Sequence, residues 1–293
     1  MAHSAAQSAP RGIEQVRVFV GGPGGGNPAP IVLDADAMPD AEMQMIAARY
    51  GHEAGFVLKP TDPKKADVRY RFFVPRAEMD MCGHATLGTT WLLAKKGLLK
   101  PGTHRIETKS GIVLCRVSDT GSVAISQPQG HVTAVAPVHR AAILDALKIS
   151  ERDMLDLPIV NAATSRMKTL IPLNGPKAVQ DLAPNFAAVE KVCNSIGSTG
   201  LYPFACDWDD ERTYHARQFP SGLGLDEDAA TGVAASALLF GLQHYGLIGT
   251  RKTIRVRQGE AMGCPSRIAV TLAEKSEAGV GCWLSGEVRQ MDA

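Results

Sequence analysis

Residues 229–242 read AATGVAASALLFGL and residues 85–94 read ATLGTTWLLA, and neither stretch holds a charge. A helix that is small or apolar on every face has to be enclosed by protein. Each stretch runs out at a glycine, Gly246 and Gly97, the residue type on which helices commonly stop. One such helix in each half predicts two related domains, each wrapping a sheet around a buried central helix. The boundary is expected near residues 127–135, where Pro128 and Gly130 interrupt the pattern.

The rest of the chain suits that frame. Its 293 residues match two domains at about 150 residues each. Lys and Arg number 31 against 30 Asp and Glu, so the net charge is +1. That leaves no field to concentrate nucleic acid or an anionic membrane. No apolar run approaches the roughly 20 residues of a membrane span. Residues 1–11 are Ala/Ser-rich without an apolar core, so they read as a disordered tail and not a secretory signal. Six cysteines (82, 115, 193, 206, 264 and 282) form no CxxC pair. That reads as free thiols in a reducing cytoplasm, with no disulfide framework and no zinc site.

Local patterns supply the smaller elements. Pro39 and Asp40 open a helix with Met43, Ile46, Ala47 and Tyr50 on one face, and Gly51 stops it. Val68, Tyr70, Phe72 and Val74 alternate with Arg69 and Arg71 as in a half-buried strand. Further strands are expected at 13–20, 112–117, 123–126, 169–173, 201–206, 253–257, 268–272 and 282–288, and helices at 137–147 and 186–196. The glycine-rich run 21–28 lacks the ending of a phosphate loop and reads as a mobile hairpin-like turn. Together these give an α+β protein with mostly antiparallel sheets. The domain limits are 12–130, with the C-terminal strand 282–293 available to complete that domain, and 131–281.

Chemistry gathers where the two uncharged helices begin. Asp80-Met81-Cys82-Gly83-His84 precedes the first and Asp226-Glu227-Asp228 the second. A helix N-terminus offers unpaired amides and about half a positive charge, which suits a carboxylate ligand. Taken singly, Asp228 could be a helix cap, His84 a buried histidine and Cys82 a core thiol. Their repetition on both helices points to a site for a small acid. Glu53, between a helix stop and Ala54, Gly55 and Phe56, is a carboxyl in apolar company. Such a group suits a residue that takes and returns a proton near neutrality.

Several of these stretches resemble the signatures of PhzF-like, phenazine-biosynthesis-type isomerases. They are Gly26-Asn27-Pro28, His52 to Val57, Cys82 to Gly88, Gly197 to Tyr202, Glu227 to Gly232, and Gln258-Gly259-Glu260 through Pro265-Ser266. The resemblance runs from about residue 13 to the C-terminus. It implies a diaminopimelate epimerase-like fold of two pseudo-symmetric domains, each a barrel-like sheet around a central helix. It also implies a homodimer, no cofactor, no metal, and an active site between the domains. The family's acid/base glutamate falls on Glu53, and its histidine and aspartate fall on His84 and Asp228. The amides and side chains at Gly83, Ala85, Thr231, Gly232 and Val233 then hold the substrate, a small carboxylate-bearing metabolite. In the phenazine enzyme the glutamate moves a proton between carbons of a dihydro-hydroxyanthranilate.

The chain departs from the pattern at two places. Val233 stands where the family often has Ser, and Cys264 where it has Arg. Valine cannot donate a hydrogen bond. Both changes favour a related acid over the phenazine substrate. Cys82 opens another reading, because epimerases and proline racemases of similar fold use one thiol before each central helix. The second thiol would fall on Ala230, so a two-thiol racemase is disfavoured, while an epimerase or dehydratase using Cys82 and another base stays open. A member of the fold that binds a metabolite without catalysis is the remaining alternative.

Overall fold

Both charge-free stretches form helices of 13 residues, Gly83–Lys95 and Gly232–His244. Their ends are built alike. Each starts after an extended residue, Cys82 or Thr231, that gives the helix no side-chain cap. One turn in, a hydroxyl donates back to a carbonyl: Thr86 to Cys82 at 2.7 Å, and Ser236 to Gly232 at 2.9 Å. Each closes over a left-handed glycine, Gly97 (φ +72°) or Gly246 (φ +73°). The next amide, of Leu98 or Leu247, donates to Leu93 or Leu242 at 2.9 Å.

The computed structural model describes residues 12–222 and 224–291. The tail expected at 1–11 lies outside the described residues. The chain divides into two compact units, one of residues 12–17, 28–122 and 289–291, the other of 18–27 and 123–288. The first carries β1 (Ile13–Val18), β2 (Asn27–Val32), α1 (Asp40–Tyr50), β3 (Ala54–Leu58), β4 (Val68–Val74) and β5 (Ala77–Met79). It continues with α2 (Gly83–Lys95), β6 (Gly102–Thr108) and β7 (Gly111–Val117). The second begins with β8 (Val123–Gln127), β9 (His131–Ala134), α3 (Arg140–Leu147), β10 (Val160–Ala163) and β11 (Met167–Pro172). Then come α4 (Pro176–Gln180), α5 (Phe186–Ile196), β12 (Gly200–Cys206), β13 (Thr213–Ala216) and β14 (Phe219–Pro220). It ends with α6 (Gly232–His244), β15 (Thr253–Gln258), β16 (Ser266–Leu272) and β17 (Cys282–Ser285), before β18 (Val288–Gln290) returns to the first unit.

In the first unit β18, β1, β2, β3, β4, β6 and β7 pair in that order, with β5 also on β4. The strand β3 is buried on both faces, as its apolar run requires. Its Ala54 and Phe56 join Met43 and Ala47 of α1 and Phe73 of β4 in one core, Phe56 and Phe73 meeting edge to face at 5.5 Å. Its opposite face meets α2. A Cβ on Gly55 would lie 2.6 Å from Thr89 Oγ1, so glycine lets β3 and α2 approach this closely.

In the second unit the order is β9, β10, β11, β12, β13, β15, β16, β17, β8. Strands from both ends of that order, β9 to β11 and β16 with β17, pack against α6. The amphipathic pair α3 and α5 forms a separate core with Leu201 and Phe219. Parallel pairing joins β2 to β3, β4 to β6, β11 to β12 and β13 to β15. The architecture is therefore α+β with mixed, mainly antiparallel sheets.

The glycine-rich run differs from its expectation. It is a turn clamped on the segment around Pro265, where the Gly21 amide donates to the Pro265 carbonyl at 2.9 Å. A Cβ on Gly25 would stand 1.8 Å from that oxygen. The clamp delivers Asn27 to the second unit. The expected strand at 282–288 is broken near Gly286, against which Phe19 packs.

Candidate active site

The first group of functional side chains is set by the α1–β3 connection. Gly51 takes φ +69° and leaves only His52 and Glu53 before β3 begins. Glu53 is in phase with Gly55, so it falls on the face that meets α2. Its Oε2 lies 3.8 Å from His84 Nε2, with the glutamate side chain 34% exposed and the histidine 9%. Cys82 Sγ lies 3.5 Å from Nδ1 and 4.0 Å from Nε2 of the same imidazole. The His84 ring is thus approached by both a thiol and a reachable carboxylate. Burial lowers the pKa of His52 below its usual range, against the opposing charge of Glu53, with His84 and Arg17 lowering it further. Gly83 is half-buried and Ala85 buried in the uncapped first turn of α2.

The second group surrounds the start of α6. The Asp228 carboxylate accepts from Asn27 Nδ2 at 2.9 Å and from Thr231 Oγ1 at 2.5 Å. It reaches the Ala230 amide at 3.4 Å but caps none of the helix. Gln258 pins the same turn, donating to the Asp228 carbonyl at 2.6 Å and to Thr231 Oγ1 at 3.1 Å. Tyr202 donates to Gln258 Oε1 at 3.0 Å. The preceding residue, Glu227, is held by Arg217 through two bonds of 2.8 and 2.7 Å. Gly232 is fixed by packing, since a Cβ there would stand 2.5 Å from Leu284 Cδ2. Val233 sits half-buried in the first turn, an apolar face where a hydroxyl could have pointed.

The structure therefore collects Glu53, Cys82, Gly83, His84 and Ala85 at the opening of α2, and Asp228, Thr231, Gly232 and Val233 at the opening of α6. Sequence reasoning gave no role to Asn27, Gln258 or Arg217. Asn27 and Gln258 stand in the quoted Gly-Asn-Pro and Gln-Gly-Glu stretches, which was their signal. All six cysteines are free. Burial pushes the Cys115, Cys193 and Cys282 thiols up to about 12, so they stay protonated at neutral pH. Among the described residues, no group of three or more His, Cys, Asp or Glu is arranged to hold a metal ion, and no helix is long and apolar enough to cross a membrane.

A solved PhzF-family protein from Bacillus anthracis matches this fold with a TM-score of 0.81 at 28% identity, covering 96% of both chains. A probable proline racemase from Agrobacterium radiobacter K84 shares the fold at 13% identity, with a TM-score of 0.62 over 95% of this chain and 90% of that one. The fold is the one shared by PhzF-family proteins and this proline racemase. The model of the phenazine biosynthesis-like protein family, PhzC-PhzF, matches residues 16–286. An uncharacterized isomerase, YfhB, from Bacillus subtilis is 33% identical over 269 residues, 89% of each chain. The trans-2,3-dihydro-3-hydroxyanthranilate isomerase of Pseudomonas fluorescens is 31% identical over 260 residues, 86% of each. The chain belongs to the phenazine biosynthesis-like family and is an isomerase.

Proposed function

We propose that this isomerase shifts a proton on a small carboxylate-bearing metabolite, with Glu53 as the acid/base and without a cofactor. The observation that carries the reading is the Glu53 carboxylate, reachable from solvent and 3.8 Å from the Nε2 of a buried histidine. Glu53 takes a proton from a carbon beside a carbonyl or double bond, and the electron pair moves onto the neighbouring oxygen. His84 donates to that oxygen through Nε2, while its Nδ1 faces the Cys82 thiol. The pair then returns, and the protonated Glu53 delivers the proton to a different carbon. The uncapped amides that open each central helix, Gly83 and Ala85 on one and Gly232 and Val233 on the other, each suit a carboxylate. Asp228, oriented by Asn27 and Thr231, is set to accept from an amino or hydroxyl group of a ligand at the α6 opening. Positioned acid–base catalysis of this kind is worth about 10²- to 10⁴-fold.

Val233 and Cys264 favour a related acid over the substrate in the Pseudomonas enzyme's name. A panel of small unsaturated and keto acids, including trans-2,3-dihydro-3-hydroxyanthranilate, tests the reading by turnover. Glu53→Gln keeps the shape and removes the base, so kcat should fall at least about 100-fold on whichever acid is converted. Unchanged turnover by that variant would reject Glu53 as the base. The working unit is proposed to be a homodimer, and light scattering should return twice the chain mass.

The Sγ–Nδ1 approach of 3.5 Å supports a second reading, an epimerase or dehydratase in which a Cys82–His84 pair supplies the base. Cys82→Ser should then abolish activity, whereas on the first reading it only weakens it.

A further inference from the structure

The second unit holds two buried polar side chains that the proposed chemistry does not use. Gln218 is 1% exposed, and neither its amide oxygen nor its amide nitrogen has a hydrogen-bond partner. Buried amides left in this way are rare and call for an explanation. Lys168, on β11, is 4% exposed and makes a single hydrogen bond among the described residues, 3.3 Å to the Thr199 carbonyl. An ammonium has three donors, so two remain for another acceptor.

The two side chains flank the same peptide. Lys168 reaches the carbonyl of Thr199, and the Gln218 amide nitrogen lies 2.1 Å from where a Cβ on Gly200 would stand. Gly200, at φ +155°, leaves the room that the amide occupies. Asp228 adjoins the cluster, because its amide donates to the Gln218 carbonyl at 3.1 Å. Yet the Asp228 carboxylate bonds Asn27, Thr231 and Ala230, and no contact ion pair forms with Lys168. Burial and Arg166 lower the Lys168 pKa to about 8, against the opposing charges of Asp228 and Cys193, so the group is still mostly cationic at neutral pH. A buried cation without a contacting anion is costly, and such sites concentrate where function requires them.

We propose that Lys168 and Gln218 form a recognition site for a second carboxylate of the substrate, which makes the substrate a dicarboxylate. This rests on the isomerase reading above, with the α6 opening of the same unit taking the first carboxylate. Lys168 supplies the charge and its free N–H groups, and the Gln218 amide supplies one more donor. A monoanionic carboxylate fits better than a phosphate dianion, because Lys168 supplies one positive charge and Asp228 already sets a negative charge near it. Half-buried Asp228 lies next to the buried pair.

The test is calorimetric titration of the full-length protein with succinate, butyrate and inorganic phosphate. Succinate and butyrate share four carbons and differ in the second carboxylate. Wild type should bind succinate about tenfold tighter than butyrate or better, as for a charge-assisted hydrogen-bonded pair, and phosphate no tighter than butyrate. Lys168→Met should remove the succinate advantage and leave butyrate binding unchanged. Gln218→Leu should reduce it, and serves if the first variant does not fold. A structural lysine would lower the ligand-free Tm when replaced, whereas a recognition lysine leaves it equal or higher. Equal binding of succinate and butyrate by wild type, or an advantage that survives both substitutions, overturns the proposal and leaves the isomerase reading intact. Tighter binding of phosphate than of succinate overturns the carboxylate assignment. Binding of none of the three overturns the proposal together with carboxylate binding at the helix openings.

Discussion

Arg217→Met is the substitution with the largest consequence for the second group of site residues. The Arg217 and Glu227 side chains are each 9% exposed, and the guanidinium spends two N–H groups on the carboxylate. A third nitrogen, Nη1, donates to the Leu182 carbonyl at 2.6 Å and the Gln180 carbonyl at 3.2 Å. The guanidinium also stands 5.0 Å from the centre of the Phe219 ring. Methionine fills much of the volume but leaves Glu227 buried without its cation, which costs about 3–5 kcal/mol. With a urea slope of about 2–3 kcal/mol per molar, the midpoint should fall by roughly 1–2.5 M. Removing both charges in Arg217→Met/Glu227→Leu should recover most of that loss, because a buried pair is often no better than its apolar replacement. Urea titrations of wild type, both single variants and the double variant make a complete cycle. A single variant within about 0.5 kcal/mol of wild type would refute the reasoning. So would a double variant no more stable than Arg217→Met.

Gly55→Ala places a Cβ 2.6 Å from Thr89 Oγ1, so β3 must retreat from α2. A loss of about 1–3 kcal/mol is expected by thermal unfolding, with a fall in kcat as Glu53 moves from His84. Lys168→Met should raise stability at pH 7 by as much as about 3 kcal/mol, since a fall from 10.5 to about 8 is worth 1.4 kcal/mol per unit. The sign follows from the proton: the unfolded chain binds it more tightly, so the wild type bears the full cost below pH 8 and loses it as pH rises toward 10.5. Chemical denaturation at pH 7 and pH 10 checks this, and a gap between the proteins that does not narrow at pH 10 would contradict it.

The central helices were legible because burial on every face excludes charge, and no neighbour has to be known to see that. Their starts were less so. The uncharged run begins at Ala229, but the helix begins at Gly232, because Asn27 and Gln258 hold the carbonyls of Ala230 and Asp228 in an extended turn. The Asn27–Asp228 bond joins residues 201 positions apart, and nothing local to either announces it. Short strands escaped for a similar reason. The segment Val160–Ala163, VNAA, is buried throughout and so shows no alternation, while mostly exposed His131–Ala134 is only four residues long and offers Val132 and Ala134 as its apolar pair. Lys168 was passed over because the strand was read from Thr169 onward, although a lysine opening an apolar run was itself a signal. The chemistry at Glu53, Cys82, His84 and Asp228 could be read because each lies within a few residues of a helix opening or stop.

The most direct measurement is deuterium incorporation during turnover in D₂O, for whichever acid the wild-type enzyme converts, followed by mass spectrometry and NMR. The proposed chemistry predicts deuterium at the carbon that receives the proton in wild type, and a rate of incorporation lowered at least about 100-fold in Glu53→Gln. Incorporation that continues undiminished in Glu53→Gln would contradict it, and its loss in Cys82→Ser instead would move the base to the thiol.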